Sequence, residues 1–158
     1  MKALGLLAAA LGIAVAVILA VFTFGMRTKS PEVLGAIRRM NRAYINPRQR
    51  DAGSPGSSAS LVRHVGRTSG TTYQTPVVAE AVDDGFVIAL PYGSQSDWLK
   101  NVLAAGEATV VHEGEEHRVT APEVRSIADA DPHFSAADRW AHRIFGVTEC
   151  PHLERADV

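Results

Sequence analysis

Thr75 to Leu90 reads TPVVAEAVDDGFVIAL, two apolar runs held apart by Asp83-Asp84-Gly85. Thr75–Val82 and Phe86–Leu90 are rich in β-branched and aromatic residues, and the acidic-glycine turn between them suits a hairpin. A tight turn joins antiparallel neighbours, because parallel strands need a crossover of about a dozen residues. Upstream, Leu61–Val65 is a short strand candidate. Downstream, Ser96-Asp97 can open a helix with Trp98, Leu99, Val102 and Leu103 on one face and Gly106 at its close. Ala108–His112 and His117–Ala121 form a second predicted hairpin around Glu113-Gly114, which Glu123–Ile127 extends. Asp129–Phe145 reads as largely helical with a break near Pro132, and Cys150–Val158 as a short tail or last strand. The order helix, hairpin, helix, hairpin, helix predicts an α+β domain with a mainly antiparallel sheet. About six short strands in so few residues favour a small barrel over an open doubly wound sheet.

Ahead of that domain, Ala3 to Met26 carries no charge and is dominated by Leu, Ala, Val, Ile and Phe. As a helix it would reach about 36 Å, enough for a hydrocarbon core of about 30 Å. The apolar run exceeds that of a cleaved signal peptide and ends in the bulky Phe22-Thr23-Phe24-Gly25-Met26. Ser30-Pro31 then starts an amphipathic helix with Val33, Leu34, Ile37, Met40, Ala43 and Tyr44 on one stripe, ending before Pro47. Ala52–Ser60, AGSPGSSAS, is linker or loop. The expected division is a transmembrane anchor over 1–26, a basic juxtamembrane helix and linker over 27–59, and a barrel domain over 60–158.

Charge supports that division. The net formal charge of the 158 residues is −1. Residues 27–67 hold nine Lys/Arg against Glu32 and Asp51, whereas residues 68–158 hold six basic against fifteen acidic side chains. A basic stretch beside an apolar helix points to anionic lipid and, by the positive-inside rule, to a single-pass protein of the cell membrane with its domain facing the cytoplasm. No aromatic residues interleave with the basic ones as nucleic-acid binding asks.

Several chemistries lack their signatures. There is no G-x-G-x-x-G, no P-loop, no G-x-S-x-G and no H-E-x-x-H among the six histidines. Cys150 is the only cysteine, so neither an internal disulfide nor a thiolate metal cluster can form. No metal site is expected. Two loops remain. In Val65-Gly66-Arg67-Thr68-Ser69-Gly70, two glycines bracket an arginine and hydroxyl residues, a loop able to aim backbone N–H groups and a guanidinium at an anion. In Pro91-Tyr92-Gly93-Ser94-Gln95-Ser96-Asp97-Trp98, a strand end passes into a helix N-terminus, another anion-favouring place. Taken singly, each also reads as an ordinary polar turn or cap.

Jointly they say more. LVRHVGRTSG (Leu61–Gly70), then Thr75-Pro76-Val77, Asp84-Gly85-Phe86-Val87-Ile88, Tyr92-Gly93 and Asp97-Trp98-Leu99-Lys100-Asn101-Val102-Leu103 resemble the deazaflavin (F420)-dependent nitroreductase family. The resemblance is good over about residues 60 to 122. It implies a split β-barrel of the flavin-reductase, FMN-binding type with flanking helices. It also implies bound coenzyme F420, with FMN the less favoured ligand, and hydride transfer to quinone, nitroaromatic or activated-alkene acceptors. Carried over by motif, Arg67, Ser69 and Gly70 hold the cofactor's acidic end, Thr75, Pro76 and Val77 line its ring, and Tyr92, Gly93, Trp98 and Asn101 meet it from the second loop. Tyr92, or solvent, donates the second proton. Relatives carry further cations in the G-R loop, where this chain has Thr68, Thr71 and Tyr73; Arg63 and His64 are the candidates to compensate. The substrate-facing tyrosines of relatives have no match here, only Phe134, Trp140 and Phe145. The expected partners are a small hydride acceptor and membrane lipid, not nucleic acid, and a homodimer stays open. Two alternatives stand beside the enzyme: a non-catalytic carrier of deazaflavin, flavin, haem or lipid, and a membrane-tethered partner-binding module.

Overall fold

A computed structural model describes residues 2–45 and 48–156. Asn46 and Pro47, where the basic helix is predicted to stop, lie outside the described residues, as do Asp157 and Val158 of the predicted last segment.

Seven antiparallel strands form one sheet: β1 (Ser60–Val65), β2 (Thr72–Val77), β3 (Ala79–Val82), β4 (Gly85–Ile88), β5 (Glu107–His112), β6 (Glu115–Ser126) and β7 (Glu149–Arg155). Their order is β2-β1-β5-β6-β7-β4-β3. β2 and β3 therefore occupy opposite edges, yet only Val78 separates them in sequence. A single residue cannot cross a flat sheet of seven strands, so the sheet curls until its edges meet. The result is the α+β half-barrel expected from the strand pattern.

The expected strand Thr75–Val82 is thus two strands broken at Val78. Pro76 is accommodated because β2 is an edge and needs no outward ladder bond. The Asp83-Asp84 turn is as read, with Val82 opposite Gly85. Gly85 is required by close approach: a Cβ there would collide with the carbonyl oxygen of Leu153 and lie 2.9 Å from its carbon. Gly85→Ala is expected to cost about 2–3 kcal/mol of stability, as overpacking against backbone does, and thermal unfolding of the full chain checks it. Glu113 and Gly114 both have positive φ, 50° and 83°, as a two-residue turn between β5 and β6 demands.

Two segments take a definite form that the sequence reading left open. His117–Ala121 and Glu123–Ile127 fuse into the long β6, bent by a register shift between Thr120 and Glu123 where Ala121 takes φ 46°. The bend lets β6 pair with β5 at one end and β7 at the other. Of the two readings of the Cys150 segment, short tail or last strand, the strand holds: β7 lies inside the sheet, with Cys150, Pro151, His152 and Leu153 all buried.

Helix α1 (Lys2–Arg27) turns through Thr28 and Lys29 into α2 (Pro31–Met40), whose cap is the Ser30 hydroxyl, and a π-helical turn follows over Asn41–Ile45. α3 (Asp97–Ala105) ends at Gly106, φ 74°. The predicted helix 129–145 is split into α4 (Ile127–Ala130), a 3-10 turn (Asp131–His133) and α5 (Ala136–Phe145), which Ser135 caps. Phe86, Ile88, Val62, Val102, Val110, Val119 and Leu153 fill the curl of the sheet. A second cluster seats α4 and Phe134 on Val87 and Cys150. A third, Met26, Leu34 and Ile37 with Tyr92 and Phe145, joins α1 and α2 to the domain. By contrast the large apolar side chains between Leu6 and Val21 of α1 stand largely bare, Leu6 at 72% and Ile18 at 66% exposure.

Candidate active site

The curl leaves a cleft of about 520 Å³ where the β2–β3 crossing and the loop after β4 face α1, α2 and α5. That volume is within the range of small-molecule sites, about 300–1,000 Å³. Thr75, Pro76, Val77, Tyr92, Gly93 and Trp98 all line it. These six expected cofactor contacts come from three separate stretches of chain. Arg67, Ser69, Gly70 and Asn101 are not on its wall.

Two of those four, Arg67 and Asn101, brace the wall from behind. Asn101 is buried on α3, and its Oδ1 accepts from the Arg67 backbone N–H (3.2 Å) and from Arg67 Nη1 (2.8 Å). Its Nδ2 then donates to His64 Nδ1 at 3.2 Å. Since Nδ1 accepts, the network puts the imidazole proton on Nε2, which donates to Thr75 Oγ1 at 3.1 Å. The chain of bonds runs from the G-R loop through α3 and β1 to the cleft wall. Arg67 Nη2 also meets Asp97 Oδ1 at 3.3 Å, and Asp97 lines the cleft. Ser69 Oγ bonds Tyr73 Oη at 3.2 Å, closing the loop on itself, and Gly70 takes φ 65°.

Burial holds the His64 pKa below its ordinary 6.5. The unfolded chain therefore takes up this proton at higher pH than the folded one. The stabilisation is complete above pH 6.5 and is lost as the pH falls from there through the folded pKa. The melting temperature is expected to drop as the pH falls below 6.5, and His64→Gln should flatten that slope. His64 is thus a structural partner and not a spare cation. Nor does Arg63 face the cleft: it pairs with Glu116 at 2.6 Å.

Several wall residues carried no functional signal in the sequence. Arg38, on α2, is the cation that lines the cleft, and its guanidinium has no hydrogen-bond or ion-pair partner among the described residues. Asn41 Nδ2 donates to Tyr92 Oη at 3.2 Å, tying the π turn to the loop after β4. Because Asn41 is the donor, the Tyr92 hydroxyl keeps its own proton for another acceptor. His142, buried at the end of α5, lines the cleft with Nδ1 held 3.0 Å from Asp131 Oδ1. Phe22 and Met26 of α1 complete the far wall. Cys150 lies in the second core cluster, and burial pushes its thiol up to about 11, well away from nucleophile behaviour. No cluster of three metal-ligating side chains occurs among the described residues.

The wall fits a planar ligand, with Arg38 the cation available to an anionic end and the carboxylates of Asp97 and Asp138 opposing it elsewhere on the lining. Pro76, Val77, Leu90, Pro91 and Trp98 supply apolar surface. Ser96, the N-cap of α3, makes no side-chain cap bond, and its buried Oγ has no partner. An orphaned buried hydroxyl costs about 1–3 kcal/mol unless a ligand atom satisfies it. Helix α3 also directs the positive end of its dipole to the same wall.

Among solved structures, an F420 reductase is similar at 10% identity and TM-score 0.42, over 65% of this chain and 87% of that one. A protein of unknown function from Agrobacterium tumefaciens str. C58 is similar at 12% identity and TM-score 0.40, over 73% of this chain and 56% of that one. Neither score is high enough to weigh in the assignment. No curated protein matches the chain. The sequence match is what decides: the F420H(2)-dependent quinone reductase family model covers residues 38–142, from Arg38 on the cleft's lid to His142 at its back, so the chain belongs to that family and is an F420-dependent oxidoreductase.

Proposed function

We propose that the cleft is where hydride passes from reduced coenzyme F420 to a quinone, nitroaromatic or activated-alkene acceptor, at a membrane surface. The observation that carries this reading is the convergence of Thr75, Pro76, Val77, Tyr92, Gly93 and Trp98 on one wall beneath α2. When bound, the coenzyme supplies the hydride; the chain's task is to orient, to shield and to handle a proton. Pro76, Val77 and Trp98 offer apolar faces to a ring system, and Ser96 Oγ and the α3 N-terminus offer polar contacts at its edge. An acidic tail leaving over α3 would meet Arg67, held against Asp97, with Ser69 and Gly70 beyond it. The α2 lid, seated by the packing of Leu34 and Ile37 on Met26 and the Tyr92 ring and joined through Asn41 to the Tyr92 hydroxyl, covers the space below. Tyr92 is the proposed proton donor to the reduced acceptor.

α1 contains one stretch, Ala9–Arg27, long and apolar enough to cross a membrane. With Arg27 at its end and Lys29, Arg38 and Arg39 just beyond it, the proposed placement is single-pass with the domain on the cytoplasmic side. Mixing the full chain with the reduced coenzyme and menadione tests the reaction: coenzyme oxidation above background supports it, and none counts against it. A carrier without turnover is the second reading, favoured by the engagement of Arg67 with Asn101 and Asp97. Tight coenzyme binding with no acceptor reduced would identify it.

A further inference from the structure

The apolar helix is more than a tether. Phe22 and Met26 belong to the 19-residue stretch Ala9–Arg27 that can span a membrane, and both line the cleft together with Pro76, Tyr92 and Trp98. On the face that α1 turns to the domain, exposure falls towards this end, from 58% at Leu19 to 36% at Phe22 and 2% at Met26, while Phe24 on the other side stays 69% exposed.

The joint between helix and domain is fixed by specific bonds. Phe22 meets Phe145 of α5 edge-on, centroids 5.9 Å apart. Arg27 Nη1 donates to the Arg143 carbonyl at 2.6 Å. Lys29 Nζ donates to the carbonyls of Pro91 (2.9 Å) and Phe145 (3.2 Å), so one half-buried ammonium ties the helix corner to the cleft loop and to the end of α5. Gly25 lets α2 pass close by, because a Cβ there would lie 2.8 Å from that of Val33. Lys29 itself adopts φ 54°, which fixes the corner's direction.

Phe22 lies five helical steps before Arg27, about 7.5 Å along the axis. With Arg27 among headgroups, Phe22 lies at the edge of the hydrocarbon, and the cleft wall it forms lies there too. A cavity whose wall begins inside the apolar layer is reached from that layer. We infer that Phe22, Met26, Ile45 and Phe145 frame a lateral opening from the bilayer into the cleft. It would take an acceptor that is dissolved in lipid: a polar, reducible head group enters beneath α2, while an alkyl or isoprenoid tail remains along α1. This rests on the reductase reading for the head group's identity and on the proposed membrane placement of α1 for the opening; the cleft wall itself stands on the α1 geometry.

The test uses the full chain in nanodiscs of phosphatidylcholine and phosphatidylglycerol. The probe is a naphthoquinone with a diazirine at the head-group end of an alkyl tail. Photolabelling is expected to concentrate on peptides containing Phe22–Met26 and Phe145, and unlabelled long-tailed quinone should compete it away. Labelling spread evenly from Leu6 to Leu19, or confined to the sheet, would overturn the inference. A kinetic arm compares the tailed quinone with menadione: Phe22→Ala should lower the ratio of their kcat/KM values by roughly tenfold, and an unchanged ratio contradicts the opening. Turnover of menadione without labelling at Phe22 or Phe145 refutes the opening and leaves the reductase intact. Labelling there with neither quinone reduced supports the opening and refutes the reductase.

Discussion

Asn101→Ala is expected to destabilise the chain by about 3 kcal/mol and to weaken coenzyme binding as well. The side chain is buried, and its amide serves three bonds: it accepts from the Arg67 N–H and guanidinium and donates to His64 Nδ1. Truncation leaves a buried imidazole nitrogen without its donor and frees the G-R loop from α3. Leaving buried partners unsatisfied costs about 1–3 kcal/mol each, and networks lose more than one bond's share. Asn101→Asp separates the two roles. A carboxylate still accepts from Arg67 but cannot donate to neutral His64, and it favours a protonated imidazole instead. That variant should therefore recover stability as the pH is lowered, reversing the slope expected of the parent chain. Chemical denaturation across pH distinguishes the pair; equal losses at every pH would argue against the bond order deduced for His64.

Tyr92→Phe should reduce kcat about a hundredfold, the usual contribution of a positioned proton donor, while coenzyme affinity changes little. The ring keeps its contacts with Met26, Leu34 and Ile37, so the lid stays seated. What is lost is the hydroxyl, whose oxygen receives Asn41 and whose proton is free to move into the cleft. Single-turnover oxidation of the bound reduced coenzyme by menadione reads the chemical step directly. An unaltered rate would transfer the proton's origin to solvent or to His142, which Asp131 orients at the same cavity.

Local chemistry was legible where a residue type permits few alternatives. Asp83-Asp84-Gly85 gave away the β3–β4 hairpin, Glu113-Gly114 the β5–β6 turn, and Gly106 the end of α3, because turns and caps are decided by backbone preferences of adjacent residues. For β7 the sequence left a tail and a last strand side by side, since Cys150-Pro151-His152-Leu153 is buried throughout and shows no alternation. The continuity of β6 was hidden by the bulge at Ala121. For the site, sequence resemblance found the cleft's near wall but not its far one. Arg27 touching Arg143, or Lys29 touching Phe145, spans more than a hundred residues, and no local pattern announces such a contact. Ser96 was recognisable as a helix start, while the absence of a bond to its hydroxyl is visible only in three dimensions. Arg67 was assigned to ligand, and the fold shows that it also braces α3.

Pro76, Tyr92 and Trp98 are expected to hold the coenzyme's ring between them, and the fluorescence of one indole can report it. Trp140→Phe leaves Trp98 as the lone indole, since the chain has two tryptophans. Titrating this variant, full-length in nanodiscs at low salt, with oxidised F420 should quench Trp98 saturably at one coenzyme per chain. Val78→Phe in the same background, at an exposed point of the same wall, adds bulk without a second indole and should instead weaken the saturation by roughly tenfold. Trp98 emission that stays constant at every coenzyme concentration would contradict the placement outright.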